Sequence, residues 1–553
     1  MNYFILKSYF CVKLYCIMKK IILFFACVFF VNVEAQQRPK LVVGIVVDQM
    51  KMEYLYRFSD DFSDNGFKRL MSNGYTYHNM QYNYMPTYTG PGHASIYTGT
   101  TPSMHGIVGN EWFSRTLGTE MYCTDDSSVK TIGEGGDKEG QMSPKNLQTT
   151  TITDELRLAT NFKGKVIGIS FKDRGAILPA GHFANWAFWY SKTGAFISST
   201  FYGAALPDWV TQFNQEKRYM SYITKGWDLL KPLSTYNESL PDANPYEGKL
   251  NGANPIFPYN LKEMYDKKDA GILRATPFGN DFLVDFAVKA IEKEELGKDD
   301  ITDFLALSFS STDYIGHDIG PRSVELQDTY LRLDQTIAEF LTYLDKTVGK
   351  DNYVLFLTAD HAGAENAKFL NDNKYEVTNV EPKEIGRALR KFSTDTYGVD
   401  LILNYSSFNV FFNKEIIKNK ELDLGKLKQS FAAFLMTQQQ VKRVYTEEEV
   451  LANSGSDYFL NCIAKGYDVT QSGDLVILDK PGFIEYRQTG TSHGTPYSYD
   501  THVPLIFYGW NIKKGESHKR KEITEIAPTL SQLLKIPFTN GTEANVLFEI
   551  LDK

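Results

Sequence analysis

The sequence predicts an α/β fold with a mostly parallel central sheet and helices on both faces. Five short runs rich in Val, Ile, Leu and Phe are continuous rather than alternating, which is typical of strands buried on both faces, as in parallel sheets. Apolar residues near helical spacing lie between these runs, at 281–294 and 324–344. Alternation of strands and helices indicates a layered α/β architecture. The five predicted strands cover 40–47, 165–171, 304–309, 353–357 and 503–508.

Polar residues follow four of these five runs. Ligands of open α/β sheets bind beyond the carboxyl ends of the strands, and unpartnered polar groups would be costly in a core. A shared site at one edge of the sheet accounts for all of them together. The residues are Asp48, Lys172, Asp313, Asp360 and His361.

Two stretches break the alternation of strands and helices. Residues 182–280 are rich in Tyr, Trp, Pro, Asn and Gly, and residues 362–485 mix short helical and strand-like pieces. We interpret both as insertions that form a cap over the strand ends. The predicted layered domain extends from 36 to 553 and contains these two insertions.

Composition and charge restrict the class of protein. With 553 residues, 42% of them hydrophobic, the chain can bury a large core. Its formal net charge is -8 and it has no long basic run. Because nucleic-acid binders normally carry a basic patch, an obligate DNA or RNA partner is excluded. A small anionic ligand, which needs only a local positive site, is not.

The N-terminus has the pattern of a secretory signal peptide. Lys19 and Lys20 precede an apolar run at 21–31, and small residues follow up to Ala35. We expect cleavage near Ala35, giving a signal peptide at 1–35, and translation starting at Met18 rather than Met1. The alternatives are a membrane anchor, for which the run is short, and lipidation at Cys27. After cleavage only two cysteines remain, Cys123 and Cys462; whether they pair is open.

Mixed histidine and aspartate residues suggest metal ligands. Asp313 and His317 are four residues apart and would face the same way on a helix, and Asp360 and His361 follow a strand directly. Such a mixture suits zinc better than magnesium or calcium, which prefer oxygen ligands. Six candidates divide into two sets of three, each of which leaves a coordination position open, as in catalytic zinc sites. The six are Asp48, Asp313, His317, Asp360, His361 and His493.

A threonine and three polar residues complete the candidate site. Thr89 lies in a Pro- and Gly-rich segment before a predicted helix through Ile96, where backbone N–H groups favour an anion. The alternative is that Thr89 only caps the helix. Lys172 and Arg174 could bind phosphate, or could belong to a solvated charge triplet; Asn110 is the third polar candidate.

Taken together, these motifs resemble the phosphate-irrepressible, threonine-nucleophile type of bacterial alkaline phosphatase, in the alkaline phosphatase superfamily. The similarity covers nearly all of the mature chain. The motifs that carry it lie at 47–50, 86–96, 105–110, 170–182, 311–317, 359–361, 491–493 and 526–529.

The resemblance implies a division of roles. One zinc ion would be held by Asp48, Asp360 and His361 beside the nucleophile Thr89. The other would be held by Asp313, His317 and His493, facing the leaving group. Thr89 would be phosphorylated, and the phosphothreonine intermediate would then be hydrolysed, with one inversion at phosphorus in each step. The phosphoryl oxygens would be contacted by Asn110, Lys172, Arg174 and the backbone N–H of Gly90.

Two alternatives accompany this prediction. A phosphodiesterase or nucleotide pyrophosphatase of the same superfamily shares the Thr, Asn and metal ligands but generally lacks the pair Lys172 and Arg174. A non-catalytic metal-binding module would have lost a ligand or the nucleophile, and none is lost here. The expected substrates are small phosphate monoesters, the expected location is periplasmic or secreted without a membrane span after cleavage, and the expected state is a monomer.

Overall fold

The computed structural model describes residues 38–381 and 383–551, and its central element is a large mixed sheet. Its middle strands are parallel. Every residue of Leu41–Val47 is buried, so both faces of the sheet are covered, as the continuous apolar pattern predicts. The predicted α/β class with a mostly parallel sheet is confirmed. In spatial order the parallel strands are Tyr353–Thr358, Leu41–Val47, Asp303–Phe309, Val166–Ser170 and Trp186–Tyr190.

The fifth predicted strand has the opposite direction. Strand His502–Gly509 is buried as expected, but the prediction that it belongs with parallel strands is wrong, because it pairs antiparallel with Tyr353–Thr358. The chain enters it from a loop at 490–497 and a single helical turn, Ser498–Thr501, rather than through the long crossover that a parallel neighbour needs. The outer strands of the sheet are Tyr75–Gln81, Gly515–Ser517, Lys521–Glu522, Phe196–Ser199 and Thr131–Ile132.

Helices flank the sheet. The two predicted helices are observed at Phe278–Lys293 and Val324–Leu344, and the second is capped by Ser323, whose hydroxyl accepts a hydrogen bond from the backbone N–H of Leu326 at 3.1 Å. None of the described helices is long and apolar enough to cross a membrane. The other α-helices are Tyr54–Arg57, Phe67–Asn73, Thr89–Thr98, Pro102–His105, Ile152–Ala159, Asp173–Ala180, Asp208–Gln215, Tyr219–Lys225, Leu261–Lys267, Ser311–Asp318, Ala367–Asp372, Glu384–Tyr397, Lys414–Asn419, Leu424–Leu435, Glu447–Leu451, Tyr458–Gly466, Ser498–Thr501 and Ile526–Leu534.

The two stretches that interrupt the sequence pattern have different structures. Within 182–280, the strands Trp186–Tyr190 and Phe196–Ser199 extend the central sheet. Within 362–485, a separate four-stranded antiparallel sheet has its own apolar core, with Leu389, Leu427 and Phe431 fully or nearly fully buried. Its strands, in spatial order, are Ile402–Ser406, Asn409–Phe412, Leu475–Asp479 and Val441–Thr446.

Asp328 attaches the first of these stretches to the core. This fully buried carboxylate on the helix Val324–Leu344 accepts hydrogen bonds from Trp227 Nε1 at 2.7 Å and from the Tyr236 hydroxyl at 2.5 Å. It also pairs with Arg332 Nε at 2.6 Å. Four groups, including the backbone N–H of Leu230, therefore depend on one side chain.

We expect Asp328→Ala to lower the free energy of unfolding by about 3–5 kcal/mol, because it leaves a partly buried cation and three hydrogen-bond donors without their common acceptor. Denaturant unfolding of the metal-loaded protein measures the change. Glu339→Ala, an exposed acid on the same helix, serves as the matched control and should leave the midpoint unchanged. Equal midpoints for both variants would contradict the structural role of Asp328.

The signal-peptide prediction and Cys27 lie outside the described residues. Cys123 and Cys462 are described, and each is a buried free thiol, so the open question of their pairing is answered: they form no disulfide with each other.

Candidate active site

Four neighbouring parallel strands bring the predicted polar residues to one edge of the sheet. Asp360 and His361 follow Tyr353–Thr358, and Asp48 follows the adjacent strand Leu41–Val47. Asp313 and His317 lie on the helix Ser311–Asp318, directly after the next strand, and Lys172 follows the fourth. The common edge predicted from the sequence is therefore present.

His493 reaches this edge from the opposite direction. Its loop precedes the antiparallel strand His502–Gly509, whose amino end lies beside the carboxyl ends of the parallel strands. The loop is fastened to the segment before Thr89: His493 Nδ1 donates to the carbonyl of Thr87 at 2.7 Å, and the N–H of Thr87 donates to the carbonyl of Gly494 at 3.3 Å. The antiparallel direction of this strand is what delivers the sixth candidate ligand.

Thr89 begins the helix Thr89–Thr98 and is 1% exposed. The N-cap position belongs to Tyr88, so the alternative that Thr89 is simply the cap is wrong. Its hydroxyl oxygen lies 3.4 Å from His361 Nε2. Gly92 permits this approach, because a Cβ atom there would lie 2.1 Å from the carbonyl oxygen of Asp360.

The three candidate histidines share one hydrogen-bonding pattern. Nδ1 of His317 donates to the carbonyl of Thr491 at 2.8 Å, Nδ1 of His361 to that of Ala362 at 2.9 Å, and Nδ1 of His493 to that of Thr87. A carbonyl can only accept, so Nδ1 carries the proton in each ring and Nε2 presents a lone pair. Metal-binding histidines are held in this way.

The histidine Nε2 atoms face carboxylate oxygens. His317 Nε2 lies 3.2 Å from Asp313 Oδ1, and His361 Nε2 lies 3.5 Å from Asp48 Oδ1. Lone pairs and carboxylates facing each other in a buried space repel unless a cation lies between them. In two groups of three residues, the ligand atoms lie within 4.8 Å of one another. The first group is Asp313, His317 and His493, and the second is Asp48, Asp313 and His361.

The carboxylates lack enough protein donors. Asp48 Oδ1 and Asp360 Oδ2 are buried and accept no hydrogen bond from the described residues. Burial, with the nearby charges of Asp313 and Asp360, raises the pKa of Asp48 to about 7, and burial raises the pKa of Asp360 to about 6. Burial lowers the pKa of His361 to about 4. This environment disfavours two negative carboxylates unless positive charge is supplied.

Lys172 supplies part of that charge. Its ammonium lies 2.5 Å from Asp48 Oδ2 and 2.6 Å from Asp313 Oδ2. Burial alone would lower the pKa of Lys172, but the carboxylates of Asp313 and Asp48 outweigh it and raise the pKa, so the side chain stays charged. Lys172 is therefore part of the site, and the alternative of a solvated charge triplet is wrong for this residue.

Asn110 contacts the residue after Thr89, and Arg174 contacts Tyr122. Asn110 Oδ1 accepts a hydrogen bond from the backbone N–H of Gly90 at 2.7 Å, so this N–H is already engaged in the structure. Arg174 Nη1 donates to the hydroxyl of Tyr122 at 2.8 Å, and that hydroxyl donates to Asp173 Oδ1 at 2.8 Å. Half-buried Arg174 is thus held by the Tyr122 hydroxyl, which is itself fixed by its hydrogen bond to Asp173.

Sequence reasoning missed Gln49 and Tyr122. Gln49 donates through Nε2 to Asp313 Oδ1 at 2.7 Å and through its backbone N–H to Asp360 Oδ1 at 3.2 Å, which links the ligands of the two predicted sets. Gly316 makes room for it, since a Cβ atom there would lie 2.1 Å from Gln49 Oε1. The position of Gln49 directly after Asp48 was the available signal for Gln49. The sequence around Tyr122 did not indicate its contact with Arg174.

With this geometry established, comparison with known proteins identifies the family. The type I phosphodiesterase / nucleotide pyrophosphatase family matches residues 42–502. The chain belongs to this family, within the alkaline phosphatase superfamily. The resemblance drawn from the sequence motifs is confirmed.

The similar curated proteins cover most of the chain. Alkaline phosphatase PafA of Elizabethkingia meningoseptica is 42% identical over 94% of this chain and 96% of its own length. Its crystal structure has a TM-score of 0.90 to this one and covers 93% of this chain and 99% of that one. Alkaline phosphatase PhoV of Synechococcus elongatus is 45% identical, covering 93% of both chains, and a Myroides odoratus protein named a calcium-transporting ATPase is 44% identical, covering 94% of this chain and 96% of its own.

Proposed function

We propose that this protein is a two-zinc alkaline phosphatase that hydrolyses phosphate monoesters through a phosphorylated Thr89. The observation that carries the proposal is that Thr89 and Lys172 lie at one sheet edge with the five residues of the two donor groups and with Asp360, whose Oδ2 lies 3.6 Å from His361 Nε2. Its relatives that are named alkaline phosphatases support the reaction class.

The donor set fits two zinc ions. Neutral imidazole Nε2 atoms combined with carboxylate oxygens are zinc ligands, and the hydrogen-bonded Nδ1 atoms fix the required tautomer. We assign Asp48, Asp360 and His361 to one ion and Asp313, His317 and His493 to the other. When bound, the pair would supply Lewis acidity to the entering and leaving oxygens of an in-line displacement.

The residues of the chain then have separate tasks. Thr89 attacks phosphorus and its hydroxyl proton passes to solvent, while the ester P–O bond breaks and the departing alkoxide takes a proton from solvent. Water then attacks the phosphothreonine, the P–O bond to Thr89 breaks, the Thr89 oxygen regains a proton and phosphate is released. Asn110, whose carbonyl oxygen is satisfied by the N–H of Gly90, keeps its amide N–H donors for the phosphoryl group. Lys172 and Arg174 offset its negative charge.

We further propose that residues 1–35 direct export to the periplasm or the medium and that the mature enzyme is a monomer. We also propose that the stretch 362–485, and the part of 182–280 that lies outside the two strands of the central sheet, are insertions that shape access to the site. Ser407 of the second stretch donates to the carbonyl of Glu111 at 3.2 Å, one residue after Asn110, which supports a capping role.

The kcat/KM values for an aryl phosphate monoester and a matched diester test the reaction class. A monoester dianion carries more charge than a diester, so two cations beyond the metals favour the monoester. We expect a large monoester preference in the zinc-loaded enzyme. A diester preference would instead favour the phosphodiesterase alternative.

The same comparison tests Lys172 and Arg174. We expect Lys172→Ala with Arg174→Ala to lower monoester kcat/KM by about 10²–10³-fold, the loss typical of transition-state charge stabilisers, and to lower diester kcat/KM far less. Lys145→Ala, which removes a half-exposed lysine paired with Asp126, is the control. Equal losses on both esters would refute the assigned discrimination.

A further inference from the structure

A small cavity borders the candidate site on the side of His493. Its volume is about 190 Å³, and Tyr88, Phe408 and Asp479 are among its lining residues. The ring of Tyr88, the residue before Thr89, meets the ring of His493 edge-on at 5.6 Å between centroids. Because His493 belongs to the donor group proposed to face the leaving group, the cavity lies where the alcohol part of a phosphate ester would extend.

A strained loop holds an aromatic ring in this cavity. Ser407 and Phe408 connect the strands Ile402–Ser406 and Asn409–Phe412, with φ values of 48° and 66°. Positive φ at both central residues is the geometry of a type I′ turn, which normally uses Asn or Gly, and a bulky residue there is strained. The ring of Phe408 lies 6.4 Å from that of Tyr88 at an interplanar angle of 19°. Strain of this kind is characteristic of functional sites.

The charged groups of the cavity are acidic. Asp479 is 8% exposed, and among the described residues no hydrogen bond or ion pair is made to its carboxylate. Glu485 also lines the cavity and accepts from the hydroxyl of Tyr405 at 3.3 Å. No lysine or arginine is among the described residues that line it. Burial and the neighbouring Glu485 raise the pKa of Asp479 to about 7, so a cation in the cavity would stabilise the ionised form.

We propose that this cavity binds a positively charged organic group of the substrate, so that phosphate monoesters of amino alcohols, such as phosphocholine and phosphoethanolamine, are favoured substrates. Carboxylates beside aromatic faces form the arrangement that recognises ammonium groups. Aromatic walls do not supply the six to eight oxygen ligands of a calcium site. The inference rests on the proposed function, since it requires the phosphoryl group to be bound at Thr89.

Two substrates of the same shape test this inference. Phosphocholine and 3,3-dimethylbutyl phosphate differ in having nitrogen or carbon at the branched centre, so only the first is cationic. In the zinc-loaded mature enzyme we expect kcat/KM to favour phosphocholine by about tenfold, the range of one desolvated cation–aromatic contact aided by a carboxylate. Asp479→Asn should remove that preference while leaving hydrolysis of the neutral ester within about twofold, because the change is isosteric.

Two further variants complete the experiment. Phe408→Leu keeps an apolar side chain but removes the aromatic face, and should reduce the preference for the cation. Asp395 is an exposed acid within the stretch 362–485 and is paired with Lys391, so Asp395→Asn should leave kcat/KM for both esters unchanged. Equal kcat/KM for the two esters in the wild-type enzyme, or an equal effect of Asp479→Asn on both, would overturn the inference while leaving the phosphatase function intact. If the enzyme hydrolyses neither of the two esters, both the proposed function and this inference are refuted.

Discussion

Replacing Thr89 with alanine is expected to abolish phosphoenzyme formation and to lower kcat/KM for a phosphate monoester by at least about 10⁴-fold, as loss of a covalent nucleophile does in other hydrolases. Its hydroxyl oxygen lies 3.4 Å from His361 Nε2, at the first position of a buried helix. Acid quenching of the enzyme with a ³²P-labelled substrate measures the intermediate.

Two observations separate a chemical role of Thr89 from a structural one. Thr89→Ala removes only a hydroxyl and a methyl group at a position that is not the N-cap, so bound zinc should remain near the wild-type amount. Thr89→Ser retains the hydroxyl and should restore the phosphoenzyme. Substantial turnover by Thr89→Ala would mean that another group is the nucleophile.

Replacing Asp313 with alanine is expected to lower the bound zinc by at least one ion per chain and to lower activity by at least about 10³-fold. Asp313 belongs to both groups of donor atoms, and its carboxylate also receives Gln49 and Lys172. Removing the Asp313 carboxylate takes one ligand from each donor group and leaves the Lys172 ammonium without one of its two partners. Elemental analysis after gel filtration measures the metal directly, independently of activity.

The control for Asp313 lies on the same helix. Asp318 is paired with Arg487 at 2.7 Å and belongs to neither donor group, so Asp318→Asn should retain both ions. Two zinc ions per chain in Asp313→Ala would refute its assignment as a ligand, whereas zinc loss in both variants would point to general damage of the helix.

These two predictions concern residues that sequence patterns identified. Asp48 and Asp360 stand directly after runs of apolar residues, and Asp313 and His317 are four apart on a short helix. Burial on both faces makes such strands readable as continuous apolar runs, and the carboxyl ends of parallel strands meet at one edge. The common edge therefore follows from local sequence, while the family motifs supplied the roles.

Other features depended on contacts between distant segments. His493 reaches the site because the strand after its loop is antiparallel. The apolar run at 503–508 does not indicate whether that strand is parallel or antiparallel to its neighbour. Gln49 and Tyr122 act through Asp313 and Arg174, which lie 264 and 52 residues away. Such partners are set by packing rather than by spacing along the chain.

The sequence by itself determined the fold class, the helix at Val324–Leu344 and the edge at which the polar residues gather, because these depend on the periodicity of apolar side chains. Only the tertiary structure decided the tautomers of the three histidines, the free thiols of Cys123 and Cys462, and the acidic aromatic cavity at Asp479. The carbonyl partners of His317 and His493, the separation of the two thiols and the residues that line the cavity all depend on how segments far apart in sequence pack together, which no local pattern records.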